Sequence, residues 1–93
     1  MAVSRADRRS DREPRVRAMF SEEHVAPALD LLELLEFAWH DCYGDVSPPD
    51  EIVEDVLLLS EGSIDLFIHA ARLAVADWRD VKVNAASLRG STP

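Results

Sequence analysis

Three histidines and one cysteine are the side chains of this sequence best suited to metal chemistry: His24, His40, Cys42 and His69. A structural zinc site needs four converging ligands of this kind, commonly supplied by CxxC or HxxxH pairs. Neither spacing occurs here, and His40 and Cys42 are two positions apart, which is about 200° around a helix. The sequence therefore predicts no metal and no cofactor, and it predicts Cys42 as a small core residue near a helix end.

Carboxylates raise a second possibility, because Glu33, Glu36 and His40 share one face of a predicted helix. Di-iron proteins place Glu-x-x-His pairs on inward faces of a four-helix bundle. In this chain Glu36 and His40 are four residues apart and lie on a polar stripe. An i,i+4 pair on a solvent-exposed face is the interpretation that this spacing favours.

Nucleophilic and phosphate chemistry have little support in the sequence. The three glycines, at positions 44, 62 and 90, are isolated rather than grouped in a phosphate-binding loop. Ser47 and Ser63 stand where helix N-caps are expected. A nucleophile would also need a base within reach. We predict a protein without catalytic activity.

The elements that must position these residues are helices. Apolar periodicity predicts an all-α fold with helices at about 22–43, 48–60 and 64–82, bounded by Gly44, by Ser47-Pro48-Pro49 and by Gly62-Ser63. Apolar residues cover about 220° of the first and third helices, which is too wide for one partner helix. We expect a compact three-helix bundle within residues 20–84, completed by a two-fold homodimer. The dimer would bury an exposed strip that includes Leu31, Leu35, Phe67 or Ala71.

Charge divides the chain into two parts. Residues 1–17 contain six arginines and three acids, a net charge of +3, whereas the remainder carries −11, for −8 overall. Residues 1–18 lack hydrophobic periodicity and include Pro14, so we expect residues 1–19 to form a disordered basic arm and residues 85–93 a flexible tail. A natural start at Met19 stays open. An arm of this composition either contacts an acidic surface, its own body included, or only solubilises the chain.

The acidic body points to interaction rather than chemistry. Our leading hypothesis is a small acidic helical module for protein–protein interaction or regulation that masks a basic partner. The alternative is a nucleic-acid-associated factor using the arginine-rich arm, although nucleic acid is the less favoured partner because the body would repel a duplex. The candidate partner-binding residues are acids of the second helix and an i, i+4, i+7 polar set on the third: Glu51, Glu54, Asp55, Asp65, His69 and Arg72.

Cysteine count and hydropathy indicate a compartment. One cysteine excludes an intramolecular disulfide. Residues 1–19 contain no apolar run like that of a signal peptide, and no uncharged stretch of ~18 residues occurs. Nine arginines against one lysine are typical of a GC-rich bacterial coding sequence. We expect a soluble cytoplasmic protein that does not associate with membranes.

Overall fold

The computed structural model describes residues 4–90, which form four α-helices: α1 (Arg5–Met19), α2 (Glu22–Tyr43), α3 (Asp50–Ser60) and α4 (Ile64–Arg89). None of these residues is in a β-strand. The predicted all-α class is confirmed, and α2 has the predicted bounds. The predicted three-helix bundle is not observed, because a fourth helix precedes α2 and the last helix continues beyond residue 82.

Helix α1 is made of residues that the sequence analysis expected to be disordered. A capping box starts it: the Ser4 hydroxyl accepts a hydrogen bond from the Asp7 amide, and the Asp7 carboxylate accepts one from the Ser4 amide. Pro14 lies within the helix on its exposed side. Val16 is the one buried residue of α1, so apolar burial alone does not hold this helix to the body.

Ion pairs show the direction of α1. Arg5, at the start of α1, contacts Glu36 in the second half of α2. Arg17, near the end of α1, contacts Glu22, the first residue of α2. The two helices are therefore antiparallel. The apolar core lies among the four helices, and its largest fully buried apolar side chain is Phe67. The ring of Phe67 lies 5.6 Å, centroid to centroid, from that of Phe20. The other core residues include Val16, Leu32, Trp39, Ile52, Val56, Leu57, Ala74 and Val81.

The turn between α3 and α4 lies against the corner that joins α1 to α2. Gly62 has a φ of +79°, and a Cβ atom at this position would lie 2.8 Å from the carbonyl oxygen of Met19. Glycine satisfies both restrictions. Ser63 then caps α4 as predicted, because its hydroxyl accepts a hydrogen bond from the Leu66 amide. Ser47 was predicted as the N-cap of α3. It does not cap this helix, because α3 begins at Asp50 and Pro49 occupies the N-cap position.

Helix α4 changes direction at Asp77, whose φ of −158° and ψ of 88° are not helical. The Asp77 carboxylate accepts a hydrogen bond from the Arg79 amide at 3.1 Å and so caps the second segment of α4. That segment lies against α3, with Val81 and Ala85 buried. Residues 85–89, within the segment predicted as a flexible tail, are helical. The ends of the predicted tail and arm, residues 91–93 and 1–3, lie outside the described residues.

Candidate interaction surfaces

A buried carboxylate joins α1 to α2. Glu36 is 2% exposed. It accepts hydrogen bonds from Nε and Nη2 of Arg8, the latter at 3.2 Å, and from Nη1 of Arg12 at 2.9 Å. Nε of Arg5 lies 3.6 Å from Oε1 of Glu36. The predicted solvent-exposed location of Glu36 is therefore wrong, because α1 covers that face of α2.

The ionisation of Glu36 reflects two opposing effects. Burial raises the pKa of Glu36, but the hydrogen bond and charge of Arg8, together with the charge of Arg12, lower it, and the net pKa lies below the ordinary glutamate value. The hydrogen bond from Arg8 to Glu36 also raises the pKa of Arg8. The cluster is consequently an ion cluster at neutral pH.

The remaining arginines of α1 are engaged in the same way. They contact four acidic side chains of the body, one acidic side chain of α1 itself and one aromatic ring. The contacts are Arg9 with Asp30 (2.9 Å) and Glu33 (3.0 Å), Arg15 with Glu54 (2.9 Å), Arg17 with Glu13 and Glu22, and Arg5 with the ring of Phe37 (4.1 Å to the centroid). Of the two uses expected for the basic segment, contact with its own acidic surface is the one observed.

Sequence reasoning allowed a contact between the basic segment and its own body but missed the helix that makes this contact, although a signal for the helix was present. Arginine recurs at spacings of three and four residues at positions 5, 8, 12 and 15, which is a helical period. Acids recur at a spacing of three at positions 30, 33 and 36 of α2. Two complementary charged stripes at helical spacing are therefore a signal for paired helices.

The three acids predicted as a partner-binding patch all lie on α3, but each has a cation within the chain. Asp55 was predicted to face outward. It is only 4% exposed, because the second segment of α4 covers it. The pairs are Glu51 with Lys82 (3.1 Å), Glu54 with Arg15 (2.9 Å) and Asp55 with Arg89 (2.6 Å). The patch is largely neutralised by these pairs.

The polar set predicted on the third helix is brought together on the exposed face of α4. Asp65, His69 and Arg72 border a shallow hollow of about 610 Å³ whose other described lining residues are Ile68, Leu73 and Ala76. None of the three polar side chains has a hydrogen-bond or ion-pair partner among residues 4–90. They are therefore available to another molecule.

An apolar groove of about 530 Å³ runs between α2 and α4, beside this hollow. Leu34 is 60% exposed and Ile68 38% exposed in its walls. Arg72 is the one charged side chain among the described residues that line it. The remaining lining residues are Leu31, Leu35, Ala38 and Cys42 of α2 and Ala71, Val75 and Ala76 of α4.

The groove corresponds in part to the predicted apolar strip. Leu31 and Ala71 are half-buried in its walls. Leu35 also lines the groove but is 3% exposed, and Phe67 is fully buried in the core. Cys42 is exposed rather than a core residue, because it lies in the wall of the open groove.

Other kinds of site find no support in the described part of the chain. No group of three or more His, Cys, Asp or Glu residues in it could hold a metal ion. No helix in it is long and apolar enough to cross a membrane. No protein-family model matches the chain, and neither a curated protein nor a solved structure shows significant similarity to it.

Proposed function

We propose that this protein is a non-enzymatic protein–protein interaction module that acts as a two-fold homodimer in the cytoplasm. The observation that supports this proposal is the open apolar groove between α2 and α4, in which Leu34 and Ile68 face water. A contiguous apolar surface bordered by polar residues is typical of an interaction site. We propose a second copy of the chain as its occupant, because the charges beside the groove are self-complementary.

The self-complementarity follows from the spacing of Asp65 and Arg72. Seven residues on α4 are about two turns, or roughly 10.5 Å along one face of the helix. In a two-fold dimer with antiparallel α4 helices, Asp65 of one protomer lies opposite Arg72 of the other, and this pair occurs twice. Ile68 then lies beside the symmetry axis. Asp65 and Arg72 have no partners among residues 4–90, so dimerisation breaks no existing ion pair.

Charge-swap variants test this arrangement by sedimentation equilibrium at tens of micromolar protein. Asp65→Arg or Arg72→Asp alone puts like charges opposite each other twice, so each is expected to weaken the dimer about tenfold or more. The double variant restores both pairs with reversed polarity and should dimerise like the native chain. Asp80→Arg, at an exposed acid on the second segment of α4, is the matched control. A monomeric native chain, or a double variant as weak as the single ones, contradicts the dimer.

We also propose that the dimer binds a basic partner protein. Each chain has a net charge of −8, which attracts a positively charged surface. Helix α1 is a precedent within the chain, since acids of α2 and α3 already hold an arginine-rich helix. Glu51, Glu54 and Asp55 are engaged with Lys82, Arg15 and Arg89. The partner would therefore meet exposed carboxylates that lack a cation among residues 4–90, such as Asp41, Asp45 and Asp50.

A labelled oligoarginine peptide tests this partner chemistry. Its affinity for the protein should fall with added salt, because the attraction is between exposed charges. Neutralising three acids near the proposed contact should weaken it more than neutralising three exposed acids elsewhere, although both variants change the net charge equally. The two sets are Asp41, Asp45 and Asp50, and Asp11, Glu23 and Asp80. Equal losses would mean that net charge alone attracts the peptide and would contradict a defined contact.

Nucleic acid is the alternative partner, and the contacts of α1 argue against it. Phosphate binding by the basic segment requires free Lys or Arg side chains. The six arginines of α1 are engaged with carboxylates or with the ring of Phe37. A duplex would have to break these pairs while it approached an acidic body.

A further inference from the structure

An aromatic pocket of about 260 Å³ lies where the end of α2 meets the start of α3 and the bend in α4. The rings of Trp39 and Tyr43 are 4.4 Å apart, centroid to centroid, and tilted by 42°. The Tyr43 hydroxyl donates to the Val75 carbonyl at 2.8 Å, which fixes the orientation of its ring. The described lining is completed by Asp45, Pro49, Glu51, Ile52 and Trp78. This volume is below the usual range for drug-sized ligands, about 300–1,000 Å³, so the pocket suits a small ion or one side chain.

One residue that lines this pocket has an unsatisfied hydrogen-bond donor. Trp39 is 4% exposed, and its indole Nε1 is buried without a hydrogen-bond acceptor among the described residues. A buried indole N–H normally has a partner, because leaving it unpaired costs free energy. A ligand that brought an oxygen atom to this group would satisfy it.

The charges at the pocket select the sign of the ligand. Asp45 is exposed and has no cation among residues 4–90, whereas Glu51 is paired with Lys82 at 3.1 Å. The guanidinium of Arg79 lies 5.5 Å from the ring centroid of Trp78. The ring of Trp78 thus already has a cation nearby. The rings of Trp39 and Tyr43 have none among residues 4–90, and a free carboxylate beside them attracts a cation, since the faces of the rings carry partial negative charge.

We propose that this pocket binds a small organic cation, namely an alkylated ammonium group whose molecule also carries an oxygen acceptor. The aromatic rings contact the alkyl groups of the cation, Asp45 balances its charge, and Trp39 Nε1 donates to the oxygen. A free cation of the choline type has this chemistry, and so does a trimethylated lysine side chain with its peptide carbonyl. The pocket shares no lining residue with the α2–α4 groove, so the proposal does not depend on the homodimer.

Tryptophan fluorescence tests the site directly, because the chain contains two tryptophans and both line the pocket. Choline is expected to change the emission of the native protein saturably. Tetramethylammonium, which lacks the oxygen, should bind more weakly, and 3,3-dimethylbutanol, the uncharged isostere of choline, should not bind. Absence of a saturable response to choline, or an equal response to the uncharged isostere, overturns the proposal.

Matched variants separate the pocket from general electrostatic attraction. Asp45→Asn should weaken choline binding about three- to fivefold, whereas Asp11→Asn, which removes an exposed acid of α1 outside the pocket, should leave it unchanged. Neither side chain has a partner among residues 4–90, so both variants should keep the near-ultraviolet circular dichroism of the native fold. Equal losses of choline affinity in the two variants would overturn the assignment of the cation site to this pocket.

A parallel titration with a trimethyllysine peptide identifies the source of the cation. Tighter binding of the peptide than of choline supports the pocket as a reader of a partner's side chain. Tighter binding of choline supports it as a site for a free cation. A failure of the homodimer is distinguishable from a failure of this site, because a monomer retains the complete pocket.

Discussion

Glu36 accepts hydrogen bonds from two arginines of α1 while only 2% of its surface is exposed. Glu36→Gln removes the negative charge that Arg8 and Arg12 face, and removal of one partner from a buried ion pair costs about 3–5 kcal/mol. We expect Glu36→Gln to lower the free energy of unfolding by an amount near the bottom of this range, because Arg12 keeps a hydrogen bond to Ser47. Urea denaturation measures the loss.

Glu33→Gln is the matched control for this variant. Glu33 lies on the same helix, one turn away, but is partly exposed and contacts Arg9 alone. Pairs of this kind contribute about 0–1 kcal/mol. Equal costs for the two variants would show that Glu36 does not anchor α1.

The same residue gives the stability a defined pH dependence. The pKa of Glu36 is lower in the folded than in the unfolded chain, so its stabilising contribution is complete above the unfolded value, about 4.3 for glutamate. It is lost as the pH falls from there through the lower folded pKa. The difference in unfolding free energy between the native chain and Glu36→Gln should therefore shrink below about pH 4. Urea denaturation from neutral to acid pH measures it, and a constant difference would contradict this role.

At the scale of elements, the α3–α4 turn is held by a close backbone approach. Gly62→Ala has to accept a left-handed conformation, which costs about 1–2 kcal/mol, and it must also move the carbonyl of Met19. Gly44→Ala has a similar φ of +81°, but its Cβ would meet no atom within 4 Å. We expect Gly62→Ala to cost clearly more in thermal or urea unfolding than Gly44→Ala. Equal losses of stability in the two variants would mean that the corner between α1 and α2 moves aside for the new Cβ atom without a cost in free energy.

How far the sequence predicts each element depends on what holds it. Helices α2 and α3 and the first segment of α4 each bury an apolar stripe, and their periodicity predicted them with bounds close to those observed. Helix α1 buries Val16 alone and is held by arginines, so hydrophobic periodicity could not identify it. The bend at Asp77 has no glycine or proline beside it. It is accompanied by a side-chain cap at Asp77 and by the long-range contact of Arg89 with Asp55.

The candidate site was predictable to a similar extent. Asp65, His69 and Arg72 share a face because residues at i, i+4 and i+7 do so on any helix, and the structure keeps them exposed. Asp55 looked equally exposed by its position on α3. It is buried because a segment about thirty residues later in the sequence crosses it, a contact that local periodicity cannot report. Asp55 pairs with a charge that is distant in the sequence, whereas Asp65, His69 and Arg72 do not, and this is why Asp55 alone is buried.

At the scale of the whole molecule, folding turns the charge asymmetry of the sequence into an internal contact. Helix α1 carries a net charge of +3 and lies on a body of −11, so the chain presents a mainly acidic exterior. Each Arg–carboxylate pair that forms within the chain removes one cation from those able to bind phosphate. We therefore expect the fold to suppress the nucleic-acid affinity that the basic segment would have alone.

This suppression can be measured with duplex DNA at low salt. A peptide of residues 1–19 should retard the duplex in an electrophoretic assay, because its arginines are free and low salt favours phosphate contacts. The intact chain should not retard it at the same concentration, since α1 is paired with Glu36 and neighbouring acids and the body repels the phosphates. Retardation by the intact chain that disappears when Arg8, Arg9 and Arg12 are replaced by alanine would show instead that α1 leaves the body to bind DNA. That result would favour the nucleic-acid alternative over the basic partner.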